Sequence, residues 1–239
     1  MTQTFLLLQI NDAAFPVGAF THSFGLETYI LDKKIPDADA ALRYITQNLF
    51  GSYLYSDLLP VKLAWQATRT GNLNDLVKLE ELLYASRSPR ETREAQCKLG
   101  NRFAKAALLL DGEADGSVGR DGGDAPEASF FARYLDAVGR MASRPVAYSV
   151  FCTTHDIVLN DALSSYLYAH VSSMVTCCLK TVPLSQTDGQ KILDRIRPRY
   201  PELLAALENL NESDLARSCP GLELRSMQHE RLYSRMYMS

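Results

Sequence analysis

Hydrophobic residues recur along most of the chain at three- and four-residue spacing, and this periodicity restricts the fold more than any other feature. After Pro36, the residues Leu42, Ile45, Leu49 and Tyr53 form one stripe, on a helix that Asp37 is placed to cap. Leu76, Leu79 and Leu83 repeat the pattern after Asn74. Ser88-Pro89-Arg90-Glu91 has capping-box spacing with proline at the first helical position. The helix it opens carries Ala95, Leu99, Phe103, Ala106 and Leu110 on one side. Three further stripes are Phe131–Tyr134–Val138–Met141, Leu163–Leu167–His170–Met174–Cys178 and Leu203–Leu207–Leu210. There is no Asn-Gly hairpin turn and no sustained period-two alternation. The expectation is an all-α, single-domain bundle of about eight to ten helices.

Residues 111–124 (DGEADGSVGRDGGD) interrupt two strong helices and read as a mobile, solvated Gly/Asp-rich loop. They do not divide the chain, because both flanks have the same character. Asp111, Glu113, Asp115 and Gly116 imitate half of a calcium loop, but Gly122 stands where the closing bidentate glutamate is needed. No Gly-Lys-Ser/Thr triplet exists to cradle a nucleotide phosphate.

Charge excludes further classes. With 25 Lys+Arg against 28 Asp+Glu the net charge is −3, unlike a protein that binds nucleic acid through bulk electrostatics. Nothing approaches the roughly 18 apolar residues of a spanning helix, and residues 5–10 lack the flanks of a signal peptide. Five cysteines without a CxxC pair suggest a reducing, cytoplasmic setting. The four histidines form no HxxxH or HExxH pair. His170, Met174 and Cys178, with Cys177 alongside, share one face where a soft metal would find ligands, but Leu163 and Leu167 on that face favour a packed core stripe. No nucleophile elbow supports a Cys–His enzyme. No catalytic residue, metal ligand or cofactor is assigned.

Two segments are unusual for a plain helical core. In residues 15–27, Pro16 and Gly18 break any helix while Phe15, Val17, Phe20 and Phe24 crowd apolar surface around the break; Thr21 or Ser23 is placed to cap the next helix. In residues 221–239, Leu224, Met227, Leu232 and Met236 interleave with Arg225, His229, Glu230, Arg231 and Arg235. That is the make-up of an interface core, and equally of a last amphipathic helix docked on its own domain.

Leu7-Leu8-Gln9, Phe15-Pro16-Val17-Gly18-Ala19-Phe20 and Ser23-Phe24-Gly25-Leu26-Glu27 together resemble the N-terminal signature of UreF, the urease accessory protein family. Residues 182–190 (VPLSQTDGQ) and 226–235 (SMQHERLYSR) resemble two further blocks of that family in the right order, and residues 91–103 are similar to its central block. Arg144-Pro145 stands where the family typically has His-Pro.

The resemblance implies an all-α, cytoplasmic homodimer without catalytic activity. It would join UreD/UreH and the GTPase UreG on apo-urease, govern GTP hydrolysis and help pass nickel to the urease site; nucleic acid and membrane are not expected partners. An alternative is a metallochaperone holding nickel itself at His170, Met174, Cys177 or Cys178. Residues 1–220 would form the body and 221–239 a partner-binding tail, disordered or loosely docked alone and ordered on binding. Expected contacts are Met227, His229, Glu230, Leu232, Tyr233, Arg235 and Met236 in the tail, with Pro183, Leu184 and Gln186 at a helix break. Pro16, Val17, Gly18, Ala19, Phe20, Gly25 and Glu27 would shape the core beneath. Arg93, Arg102 and Arg197 are candidates by residue type for an arginine acting in trans on the GTPase.

Overall fold

A computed structural model describes residues 2–111, 128–215, 217 and 219–239, and only the backbone of Phe20. The 111–124 segment, apart from Asp111, lies outside the described residues. The described chain is helical and contains no strand. The α-helices are α1 (Thr2–Asn11), α2 (Leu26–Leu31), α3 (Ala38–Asn48), α4 (Leu59–Arg69), α5 (Leu73–Ser86) and α6 (Arg90–Leu110). They continue with α7 (Phe130–Val138), α8 (Arg144–Thr154), α9 (Leu159–Thr181), α10 (Gln186–Ile196), α11 (Tyr200–Glu208) and α12 (Pro220–His229). A π-helical stretch, Leu49–Leu58, joins α3 to α4 without a break.

The all-α expectation holds, and the stripes read from the sequence point inward. Ile45, Leu49, Leu76, Leu99, Phe103, Phe131, Tyr134, Leu167, Cys178 and Leu203 are essentially without exposure, whereas Leu110 ends its helix 40% exposed. Asp37 caps α3, its carboxylate accepting from Ala40 N at 2.8 Å. Ser88 does not cap α6: the N-cap is Pro89, with no side-chain bond, and Glu91 is engaged elsewhere.

Helix α8 is the axis of the bundle. Every residue from Pro145 to Thr153 is buried, because α4 and α6 cover it on two sides and α7 and α9 on others. Gly100 on α6 permits the closest approach, since a methyl group there would collide with the Ala142 carbonyl just before α8. Phe103, Phe131, Tyr148 and Phe151 meet in tilted and edge-on pairs with centroids 5.5–5.9 Å apart, the geometry aromatic quadrupoles favour. Polar bonds fix the register: Ser149 Oγ donates to Val61 O at 2.7 Å. Lys62 Nζ donates to the carbonyls of Leu207, Glu208 and Leu210, closing the C-terminal end of α11 with a positive charge.

Glu80 is an exception within this core. It is 1% exposed, and its Oε1 accepts from Tyr134 Oη at 2.5 Å and Ser143 N at 2.8 Å. Burial outweighs those two bonds and pushes its carboxyl up to about 7.

Candidate functional site

The segment after α12 is anchored, not loose. Glu27, 3% exposed on α2, accepts from Met236 N at 2.7 Å through Oε1 and from Tyr237 N at 3.2 Å through Oε2. His229, fully buried at the end of α12, places Nε2 2.9 Å from Glu27 Oε2 and Nδ1 2.9 Å from Glu91 Oε2 on α6. Arg235 Nη1 donates to Glu91 Oε1 at 2.6 Å. Two carboxylates thus clamp one imidazole ring, and one guanidinium closes the group from outside. Burial works against ionisation of Glu91, but the bonds from His229 and Arg235 outweigh it and hold its carboxyl below the usual carboxylate value.

A second set of bonds fixes the last residues. Ser239 O accepts from Ser23 N at 2.6 Å, Phe24 N at 3.0 Å and Ser23 Oγ at 2.8 Å, and Thr21 O accepts from Met238 N at 2.8 Å. His22 Nδ1 lies 2.8 Å from Ser239 Oγ. Burial, with Arg102 nearby, lowers the His22 ring to about 4, so it is neutral at physiological pH. Tyr237 is buried, and the Cys177 thiol beside it is pushed up to about 11 by burial.

The turn in residues 15–25 shapes this anchorage. Val17 is buried, Pro16 is exposed, Ala19 opens a short 3₁₀ turn, and the side chain of Phe20 lies outside the described residues. Neither Thr21 nor Ser23 caps α2; the N-cap is Gly25, while Thr21 Oγ1 turns back to Gly18 O and Ser23 is occupied by Ser239. Gly25 has φ +87° and faces α12, where a Cβ would come 2.7 Å from Ser226 Oγ, so glycine meets both a conformational and a packing demand there.

Of the expected tail contacts, His229 requires correction: at 0% exposure it faces two core carboxylates and offers nothing to a partner. The loosely docked tail is corrected likewise, since the amides of Met236, Tyr237 and Met238 are all taken by the body of the protein. Glu230 is half-buried and ion-paired with Arg90 at 3.1 Å, and Leu232 is half-buried. Met227, Tyr233 and Met236 do project outward, at 41, 107 and 66% exposure, with Leu224 and Met238 at 53% each. Pro183 and Gln186 are exposed and Leu184 packs partly on the core; Ser185 and Asp188 form a capping box that starts α10. That junction rests on α9 and α3, whereas the tail rests on α2 and α6.

The metal-candidate stripe is interior. Met174, Cys177 and Cys178 are buried; His170 stacks on Tyr53 with centroids 3.7 Å apart, and burial lowers its ring to about 4. Among the described residues no group of three or more His, Cys, Asp or Glu is arranged to hold a metal ion, and no helix is long and apolar enough to cross a membrane.

Fold and surface define a class: an all-helical, single-domain protein that carries an apolar-rich chain segment anchored on its surface by buried charge. Within that class, the family model described as UreF matches residues 35–197. The urease accessory protein UreF of Bacillus sp. (strain TB-90) is 30% identical over 239 residues, covering all of both chains. That of Geobacillus kaustophilus (strain HTA426) is 33% identical over 239 residues, covering 99% of this chain and 98% of its own. This chain belongs to the UreF family.

Proposed function

We propose that this chain is a urease accessory scaffold required for nickel insertion into apo-urease. It bridges UreD/UreH and the GTPase UreG, and it regulates GTP hydrolysis by UreG. Nickel is the cargo of the complex and GTP is bound by the partner; the chain acts by binding, as a cytoplasmic homodimer. Family membership supports urease maturation as the setting. The observation that carries the scaffold reading is the anchored tail, which holds Met227, Tyr233 and Met236 outward on a platform fixed by His229, Glu27 and Glu91.

Physically, a preordered platform binds without the ordering cost that a loose tail incurs, and its exposed tyrosine and methionines supply the apolar anchors. Arg235 is committed to Glu91, which leaves Arg231, exposed nearby, for acids on a partner. Of the arginine candidates, Arg93 donates to Arg87 O and lies over Tyr84, and Arg197 pairs with Asp194 at 2.7 Å. Arg102 is exposed and is the first to test as a group acting in trans.

The test is affinity capture of the full-length chain from cells that express the urease operon. Recovery of urease subunits, UreD/UreH and UreG is expected; their absence overturns the proposal. With the complex in hand, Arg102→Ala should lower UreG GTPase activity by about three orders of magnitude if it acts as a finger, and leave it unchanged if the scaffold only positions the GTPase.

A further inference from the structure

A cavity of about 100 Å³ lies beside the π-helical stretch Leu49–Leu58, roofed by α6 and the start of α8. π-helical segments are rare and concentrate at functional sites. Here the stretch delivers Tyr53 and Asp57 to the cavity wall, both buried.

Apart from Arg144 and Glu223, the charged groups in the wall are engaged within the protein. Asp57 accepts from Ser56 Oγ at 2.6 Å and from Gln96 Nε2 at 3.3 Å, with Arg87 3.9 Å away. Arg87 is further committed to Ser56 O at 2.8 Å, and Arg217 at the rim is held by Asp214 at 2.7 Å. Arg144, the first residue of α8, lies over the Tyr166 ring at 5.2 Å and makes no hydrogen bond or ion pair among the described residues. His170, lowered to about 4 by burial, contributes no charge at neutral pH. One guanidinium in the wall, which also borders a neighbouring pocket beside Tyr168, is therefore without a carboxylate within ion-pair distance among the described residues.

A second unmet demand stands in the same wall. Gln96 is only 6% exposed, and its Oε1 is buried with no hydrogen-bond partner. A buried acceptor left unpaired carries a desolvation cost that a ligand's donor would remove. Glu223, which also lines the cavity, makes it inhospitable to multiply charged anions.

We propose that this cavity binds a small monocarboxylate bearing a hydrogen-bond donor, its carboxylate on the Arg144 guanidinium and its donor on Gln96 Oε1. A planar guanidinium matches a carboxylate in two parallel bonds, and the volume suits a molecule of about five non-hydrogen atoms.

The test is calorimetric titration of the full-length protein with glycolate, acetate and sulfate at constant ionic strength. Glycolate should saturate one site with a Kd below about 10 mM, acetate should bind about tenfold more weakly for lack of a donor, and sulfate should not compete. Arg144→Met should abolish carboxylate binding, with circular dichroism checking that the bundle is intact. If that variant does not fold, Gln96→Met decides: it should bring glycolate down to the affinity of acetate. No saturable binding of either carboxylate overturns the proposal, as does Arg144→Met or Gln96→Met binding glycolate like the wild type.

Discussion

His229 and Glu27 are both buried and lie 2.9 Å apart, on helices separated by about two hundred residues of sequence. Because the other ring nitrogen faces Glu91 at the same distance, only a ring protonated on both nitrogens donates to both carboxylates. The ring thus bridges α2 and α6 through their carboxylates, and the Arg235 guanidinium joins the group at Glu91.

Replacing His229 with leucine would leave Glu27 buried without the imidazole that faces it. The expected cost is about 3–5 kcal/mol, the range for breaking one partner out of a buried pair. Denaturant unfolding measures it, and hydrogen exchange locates it: the amides of Met236 and Tyr237, bonded to Glu27 in the wild type, should lose protection first.

Gly25→Ala separates packing from backbone strain when set beside Gly71→Ala. Both positions have positive φ, but a Cβ at Gly71 meets open space while one at Gly25 comes 2.7 Å from Ser226 Oγ. Thermal unfolding should show Gly25→Ala to be the more destabilising by at least about 1 kcal/mol.

Glu80 should make stability fall with rising pH across the acidic to neutral range. Its native carboxyl is raised from 4.5 to about 7, so the folded state holds the proton more tightly than the unfolded state. Its contribution is complete below pH 4.5 and is lost as pH rises through 7. Glu80→Gln keeps an acceptor for Tyr134 and Ser143 and should flatten that slope, by up to about 3 kcal/mol in the difference between the two pH–stability curves.

His170 acts with the opposite sign. Its native ring is lowered from 6.5 to about 4, so stability is present above pH 6.5 and declines as pH falls toward 4. His170→Phe preserves the stack on Tyr53 and should remove that acid-side loss, read from the same unfolding curves.

The helices are legible in the sequence because each has one apolar stripe, and burial follows the stripe from Ile45 through Leu203. The anchorage is not, because its bonds join residues far apart in sequence. Glu91 has the right spacing from Ser88 for a capping box, and local pattern cannot show that His229 and Arg235 claim it instead. His22 and Ser23 look like ordinary turn residues until Ser239 is placed against them. Glu27 offers the one available signal, a carboxylate between Leu26 and Thr28 at the start of a short helix with no basic residue near it in sequence. In the tail, Met227, Tyr233, Arg235 and Met236 are exposed, whereas His229 and Tyr237 are buried against residues far away in sequence, which local pattern does not show.

Docking through the anchored tail is tested most directly by the affinity of the full-length chain for purified UreD/UreH, comparing wild type with Tyr233→Ala/Met236→Ala. Both side chains are exposed, at 107 and 66%, so the fold should be untouched. Loss of two interface anchors should raise Kd by about thirtyfold or more, with an unchanged melting temperature. Wild-type affinity in that variant would contradict the assignment of this surface as the docking site.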